Sequence, residues 1–154
     1  MNQTLNPNYI TLYHATNFEY SQQIIQDGVL RPRTFYAITL SELNDFGHLD
    51  LTAHLKGNPD IVKKKIMCFA DNPVLAAACS DHGSDVIFEA QIPYGWVKEH
   101  ILGNGTYETK GTIDEIPIER VTKMLSSNPD KTKKALKDAG RLDMIVERCL
   151  ITNL

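Results

Sequence analysis

A histidine near the start of the chain is the first candidate for chemistry. His14 lies in LYHAT, residues 12–16, between a tyrosine and a threonine near the end of a predicted strand. In that position an imidazole can bind a ribose hydroxyl, while the backbone beyond it meets a planar amide. The simpler alternative is a histidine that satisfies one hydrogen bond in the core. The rest of the chain has to decide between the two interpretations.

The common catalytic and nucleotide-binding motifs are missing from the sequence. It contains no GxxxxGK[ST] phosphate loop and no GxGxxG, HExxH, GxSxG or EF-hand pattern. The five histidines include no i, i+4 pair, and a metal site would need distant residues such as Cys79 and His82. We therefore expect no resident metal and look for a site assembled from several strands.

Composition is typical of an ordinary globular protein. The 154 residues are 42% hydrophobic and 23% charged, which excludes disordered and fibrous proteins. The formal net charge of -3 argues against broad nucleic-acid binding. Three cysteines without a CxxC pair indicate a reducing compartment. No apolar run approaches 18 residues and no signal-like segment is present, so we expect one cytoplasmic domain without a membrane span.

Short strands and short helices alternate along the chain without a regular period. Strand-like patterns cover residues 10–15, 34–39, 65–70, 85–92, 106–109, 112–118 and 144–151. Capping residues predict helices from Asn17 to Gly28, from Pro73 to Asp81 with Gly83 as the stop, and from Asn128 to Gly140. Helical spacing predicts a further helix over 118–125, and the polar stretch 41–59 is expected to be irregular. This order favours an α+β fold over a doubly wound parallel sheet.

The sequence contains YHAT at 13–16, GVL at 28–30, CFAD at 68–71 before an alanine-rich helix, IP at 92–93, and Glu108 followed by IPIERV at 116–121. This series of short phrases resembles the ADP-ribosyltransferase superfamily, which includes diphtheria-like toxins, poly-ADP-ribose polymerases and RNA 2′-phosphotransferases. The resemblance spans residues 10–121. It implies a split β-sheet with short helices packed around it, and leaves 122–154 as a helical, basic extension of a single domain.

The resemblance implies that NAD donates ADP-ribose. Breaking the N-glycosidic bond of NAD places positive charge on the ribose, so a carboxylate beside the ribose lowers the barrier. Glu108 has this catalytic role in the implied site, with Glu115 and Glu89 as alternatives. Thr106 stands two positions before Glu108, where members that modify arginine or asparagine often have Gln or Glu. That departure leaves the acceptor group open.

The remaining residues of the implied site bind NAD. His14 would bind the adenine-side ribose, and the backbone at Ala15, next to Thr16, would hold the nicotinamide amide. Arg33 would contact a phosphate, and a loop arginine without a ligand is the alternative for that position.

Two aromatic residues compete for the ring that stacks on nicotinamide. Tyr36 lies on the strand after the first helix, where the family's second motif usually falls. Phe69 has the better local phrase, but an aromatic residue inside KIMCFA is also a natural core residue. The sequence leaves both open.

Three functions fit these features. The first is ADP-ribose transfer by a toxin, effector or phage counter-defence protein, which we expect to be a monomer acting on a protein rather than a nucleic acid. The second is NAD-dependent RNA 2′-phosphotransfer, which the small number of arginines disfavours. The third is an inactive domain of the same fold that binds a protein or a nucleotide. Lysines in 63–65 and 131–137 suit an acidic partner, or are simply solvated.

Overall fold

The computed structural model describes residues 8–32, 34–39, 54–55, 58–80, 82–99, 104–110 and 113–149. For residues 34–39, 54–55 and 58–65 it describes the backbone. Arg33 and the side chain of Tyr36 therefore lie outside the described residues, as do the side chains of the lysines at 63–65.

Strands predominate in the described part of the chain. They are β1 Tyr9–Thr16, β2 Val29–Leu30, β3 Thr34–Thr39, β4 His54–Leu55, β5 Asn58–Ile66, β6 Cys68–Ala70, β7 Val86–Pro93, β8 Val97–Glu99, β9 Thr106–Thr109, β10 Ile116–Pro117, β11 Val121–Ser126 and β12 Ile145–Arg148. The helices are α1 Phe18–Asp27, α2 Pro73–Cys79 and α3 Pro129–Asp138. Two 3₁₀ turns cover Tyr94–Trp96 and Ile118–Arg120.

Seven of the strands form one sheet in the order β12-β11-β7-β1-β6-β9-β8. Neighbouring strands run antiparallel except for β11 and β12, which are parallel. β1 lies at the centre and pairs with β7 along its whole length, from Tyr9 opposite Pro93 to Thr16 opposite Val86. β3, β5 and β4 form a second sheet, and β10 pairs with β2. The α+β class predicted from the sequence is confirmed.

Helices pack on both faces of the seven-stranded sheet. α1 and α3 lie on one face, where Ile24 and Leu136 join Leu12 of β1 in the main core. α2 lies on the other face, where Ala76 joins Ala15 of β1. Leu12 and Ala15 are three residues apart in one strand, so their side chains project to opposite sides. We call these sides the α1 face and the α2 face.

Asparagine caps determine where the three helices begin. In each case the asparagine side chain accepts a hydrogen bond from a backbone N–H of the first turn, as predicted at Asn17 and Asn128 and found also at Asn72. A proline follows the second and third of these caps in the first turn, where its missing N–H has no cost. α1 ends at Gly28, whose φ of +78° is the predicted left-handed cap.

The helix predicted over 118–125 is wrong. The segment forms the turn Ile118–Arg120 followed by strand β11. Its apolar residues recur at helical spacing because the 3₁₀ turn, and then a register shift between Val121 and Lys123, interrupt the alternation of a strand. Residues 121–126 therefore belong to the central sheet, between β7 and β12.

Other boundaries shift by a few residues. α2 ends at Cys79 and is capped by Ser80 rather than by Gly83. The strand predicted over 65–70 is divided at Met67 into β5 and β6. β5 begins at Asn58, inside the stretch expected to be irregular. Of the strand predicted over 112–118, the described residues 113–118 form a strand only at Ile116–Pro117.

Candidate functional site

His14 lies in the central strand, on the α1 face, with its ring in contact with Phe69 and with the Cys68 carbonyl. The centroids of the His14 and Phe69 rings are 5.5 Å apart, with their planes at 55°. Nδ1 of His14 lies 2.9 Å from the carbonyl oxygen of Cys68 in β6. Because a carbonyl oxygen only accepts, Nδ1 carries the proton in this contact, and Nε2 is the acceptor nitrogen of a neutral His14. The contact with Cys68 thus orients the imidazole and places a proton on Nδ1.

Phe69 is part of the main core. It is 3% exposed and packs in the same cluster as Leu12. Its strand partner in β9 is Tyr107, which also packs against that cluster. The ring of Phe69 therefore supports His14 from within the core. Tyr36 lies in β3 of the second sheet, by its backbone.

Glu108 lies in β9 and is buried. It is 4% exposed, and its Oε1 lies 3.9 Å from Nζ of Lys98 in β8. A buried carboxylate is costly unless an opposite charge or hydrogen bonds compensate for the lost water. Lys98 supplies that opposite charge. In β6 the residue opposite Glu108 is Cys68, the residue whose carbonyl binds His14.

The strand register places His14 and Glu108 on opposite faces of the sheet. Tyr13 pairs with Ala70, and Ala70 pairs with Thr106. Paired residues share a face, and so do alternate residues along one strand. Glu108, two residues after Thr106, therefore lies on the α2 face, whereas His14 lies on the α1 face. The register does not bring these two side chains into one crevice.

Ala15 and Thr16 are buried at the end of β1. Ala15 is 5% exposed, and its carbonyl oxygen accepts a hydrogen bond from the Ser80 hydroxyl at 2.9 Å. Thr16 is 2% exposed and pairs with Val86 in the β7 ladder. The Ala15 carbonyl, part of the backbone implied to hold the nicotinamide amide, thus already accepts a hydrogen bond within the protein.

The two alternative carboxylates each have a partner other than His14. Glu115 is exposed and pairs with Arg31 at 3.4 Å. Glu89 lies on the α2 face opposite Tyr13, whose hydroxyl donates to Glu89 Oε1 at 2.7 Å. Burial, then this hydrogen bond and the negative charge of Glu89, raise the pKa of Tyr13 to about 12. Tyr13 is therefore a neutral donor at physiological pH.

Sequence reasoning missed the polar cluster around Glu89. Nζ of Lys123 lies 3.8 Å from Oε2 of Glu89 and 3.3 Å from Oε1 of Glu147. These two ion pairs link β7, β11 and β12 on the α2 face. The alternation in residues 85–92 signals that Glu89 and Gln91 share a face. The ion pair between Lys123 and Glu89 could not be predicted from the sequence. Lys123 lies in a segment predicted as a helix, so no strand pairing with β7 was expected there.

Within the described ranges, no three His, Cys, Asp or Glu side chains converge as a metal-binding group. No helix in that part of the chain is long and apolar enough to cross a membrane. Comparison with protein-family models, with curated proteins and with solved structures gives no significant match.

Proposed function

We propose that this chain is an NAD-dependent ADP-ribosyltransferase that modifies a macromolecular acceptor. The observation that carries the proposal is the imidazole of His14, which the Cys68 carbonyl and the Phe69 ring orient within the YHAT phrase. The ordered phrases YHAT, GVL, CFAD and IPIERV support the same function by resemblance. The passage of β5 in the second sheet into β6 in the central sheet is in keeping with an ADP-ribosyltransferase-like split sheet.

The proposed reaction is a substitution at C1′ of the nicotinamide ribose. The bond between C1′ and the nicotinamide nitrogen breaks, and nicotinamide leaves as a neutral molecule with the bonding electrons. The acceptor forms a new bond to C1′ and loses a proton. Positive charge develops on the ribose in between, so a carboxylate stabilises the transition state. Glu108 is the residue that the resemblance assigns to this role.

The position of Glu108 favours a second candidate function. Glu108 lies on the other face of the sheet from His14 and is paired with Lys98. A domain that binds a nucleotide without cleaving it would use His14 and would not need Glu108. An inactive, nucleotide-binding domain of the same fold is therefore the alternative.

NAD labelled in its ADP-ribose part separates the two functions. The purified chain is incubated with labelled NAD and a cell lysate, and both nicotinamide release and label on macromolecules are measured. A transferase gives both signals, and we expect Glu108→Gln to lower them by about 10²–10³-fold, as for the loss of one preorganised electrostatic contact in a transition state. Glu147→Gln is the matched control, because Glu147 is a half-exposed carboxylate on the same face.

Each outcome assigns one function. NAD binding without nicotinamide release, equal in wild type and Glu108→Gln, supports the nucleotide-binding domain. Equal release by wild type and Glu108→Gln contradicts the catalytic role of Glu108. Circular dichroism of each variant shows that the fold is retained. If the folded wild-type chain neither binds nor cleaves NAD, both candidate functions are contradicted.

A further inference from the structure

An arginine is held against two aromatic rings at the end of the sheet where β1 begins. Cζ of Arg120 lies 4.9 Å from the ring centroid of Tyr9 and 5.5 Å from that of Trp96. Both distances lie in the range of cation–π contacts. The pairing of Tyr9 with Pro93 brings the start of β1 next to the turn that contains Trp96.

The guanidinium of Arg120 has no carboxylate within ion-pair distance among the described residues. Its neighbour in sequence, Glu119, instead lies 3.8 Å from Arg141. A guanidinium has five N–H donors in one plane, and stacking on rings uses only its faces. The two rings therefore restrict the orientation of Arg120 while its N–H edge remains suited to an acceptor.

An exposed aromatic side chain lies in the same turn as Trp96. Tyr94 is 51% exposed, a high value for a large side chain at the end of a central strand. Tyrosine, tryptophan and arginine are the residues that dominate binding energy at protein–protein interfaces. Tyr94 shares its turn with Trp96, whose ring Arg120 contacts, so an exposed ring and a guanidinium lie at the same end of the sheet. Together they are complementary to a segment in which a carboxylate neighbours an apolar side chain.

We propose that Tyr9, Tyr94, Trp96 and Arg120 form a docking site for a protein segment that carries a carboxylate. The Arg120 guanidinium would form a bidentate pair with that carboxylate, and Tyr94 would cover the apolar side chain beside it. We call these four residues the Arg120 site.

The Arg120 site is separate from the proposed nucleotide site. Tyr9 and His14 are five residues apart in one strand, or roughly 17 Å at the rise of an antiparallel strand. The proposal therefore does not rest on NAD chemistry. A nucleic-acid partner is disfavoured because the chain has a net charge of -3, whereas affinity for a phosphate backbone comes from many cations.

Trp96 provides a direct probe, because it is the only tryptophan in the sequence. The ¹⁵N-labelled full chain is titrated with the blocked peptide Leu-Glu-Glu-Leu, and the indole N–H signal is followed by NMR. We expect a saturable shift of this signal, weakened by added salt because the contact is partly exposed. The matched peptide Leu-Gln-Gln-Leu is expected to bind at least tenfold more weakly.

Two arginine variants test which guanidinium is responsible. Arg120→Gln is expected to weaken the Glu peptide about thirtyfold, as for a central interface residue. Arg31→Gln removes an exposed arginine that already pairs with Asp27 and Glu115, and should leave the affinity unchanged. If Arg120→Gln does not fold, Arg120→Lys keeps the charge without the planar fork and should bind about tenfold more weakly.

The proposal is overturned if the indole signal does not move with the Glu peptide, or moves equally with the Gln peptide. Unchanged affinity in a folded Arg120 variant also overturns it. An eight-residue thymidine oligonucleotide is the remaining arm of the experiment. A shift with this oligonucleotide, and none with the Glu peptide, would show a nucleic-acid site instead.

Discussion

Gly28 joins α1 to β2 at a position where a side chain would be doubly unfavourable. Its φ of +78° lies in the left-handed region, and an added Cβ would overlap the guanidinium of Arg141. That guanidinium is held in place, since Nε of Arg141 donates to the carbonyl oxygen of Ile25 at 2.9 Å. Arg141 thereby binds one of the carbonyls left unpaired in the last turn of α1. Gly28→Ala should therefore both strain the backbone and displace the hydrogen bond from Arg141 to the Ile25 carbonyl.

The expected loss follows from these two effects. A residue other than glycine in the left-handed region costs about 1–2 kcal/mol. Loss of the partly exposed, charge-assisted hydrogen bond of Arg141 costs about 1.5 kcal/mol. The sum is about 3 kcal/mol. For 154 residues, with an unfolding entropy of about 2.1 cal/mol/K per residue, about 3 kcal/mol lowers Tm by about 9 °C.

Thermal unfolding followed by circular dichroism measures the effect in a double-mutant cycle. Arg141→Ala removes the group that the new Cβ would meet, so Gly28→Ala should cost at least about 1 kcal/mol less in that background. Gly28→Asn keeps the overlap but tolerates the left-handed backbone better, and should lose less than Gly28→Ala. A Tm decrease below about 3 °C for Gly28→Ala would contradict the backbone strain assigned to this position, and strictly additive effects in the cycle would contradict the overlap with Arg141.

Two further variants test the sheet around His14. Because the pKa of Tyr13 is about 12 in the folded chain and 10.0 for an ordinary tyrosine, ionisation favours the unfolded chain. The contribution of neutral Tyr13 is thus complete below pH 10 and is lost as the pH rises towards 12. Urea unfolding at pH 8 and pH 11 should show a smaller loss of stability for Tyr13→Phe than for wild type, and equal losses would contradict the assigned cause. Gly105→Ala should cost about 1–2 kcal/mol, because Gly105 has a φ of +84° and an added Cβ would overlap the Asp71 carboxylate. An unchanged urea midpoint for Gly105→Ala would contradict this.

Helix starts and several strands could be predicted because their signals are local. An asparagine side chain caps the backbone of the residues that follow it in the chain. Gly28 can adopt the left-handed φ of a helix C-cap because glycine has no Cβ, so this signal is also local. β1 and β7 could be predicted from β-formers at alternate positions. None of these features needs a distant residue to be known.

The helix predicted over 118–125 failed because two local irregularities imitate a helical period. Ile118, Val121 and Met124 are all buried, at intervals of three residues. In the structure the first interval crosses a 3₁₀ turn, and the second contains the register shift that follows Val121. A bulge of this kind depends on the partner strand, here β7, so the pattern of this segment alone does not reveal it.

The faces on which His14 and Glu108 lie could not be predicted for a different physical reason. Their relation depends on the register of β1 with β6 and of β6 with β9. A shift of one residue in either pairing would move Glu108 to the face of His14. The sequence therefore indicated which strands carry the candidate residues but not whether those residues meet. Only the pairing of Tyr13 with Ala70, and of Cys68 with Glu108, determines that.

The most direct test of the proposed function is the calorimetric titration of the full chain with NAD, in wild type and in His14→Ala. We expect saturable binding by wild type and about tenfold weaker binding by His14→Ala, the loss expected for one hydrogen bond to the ribose. Lys134→Gln, which removes only an exposed ion pair with Asp138, should bind as wild type does. No binding by the folded wild-type chain, or equal affinity in wild type and His14→Ala, would contradict a nucleotide site at His14.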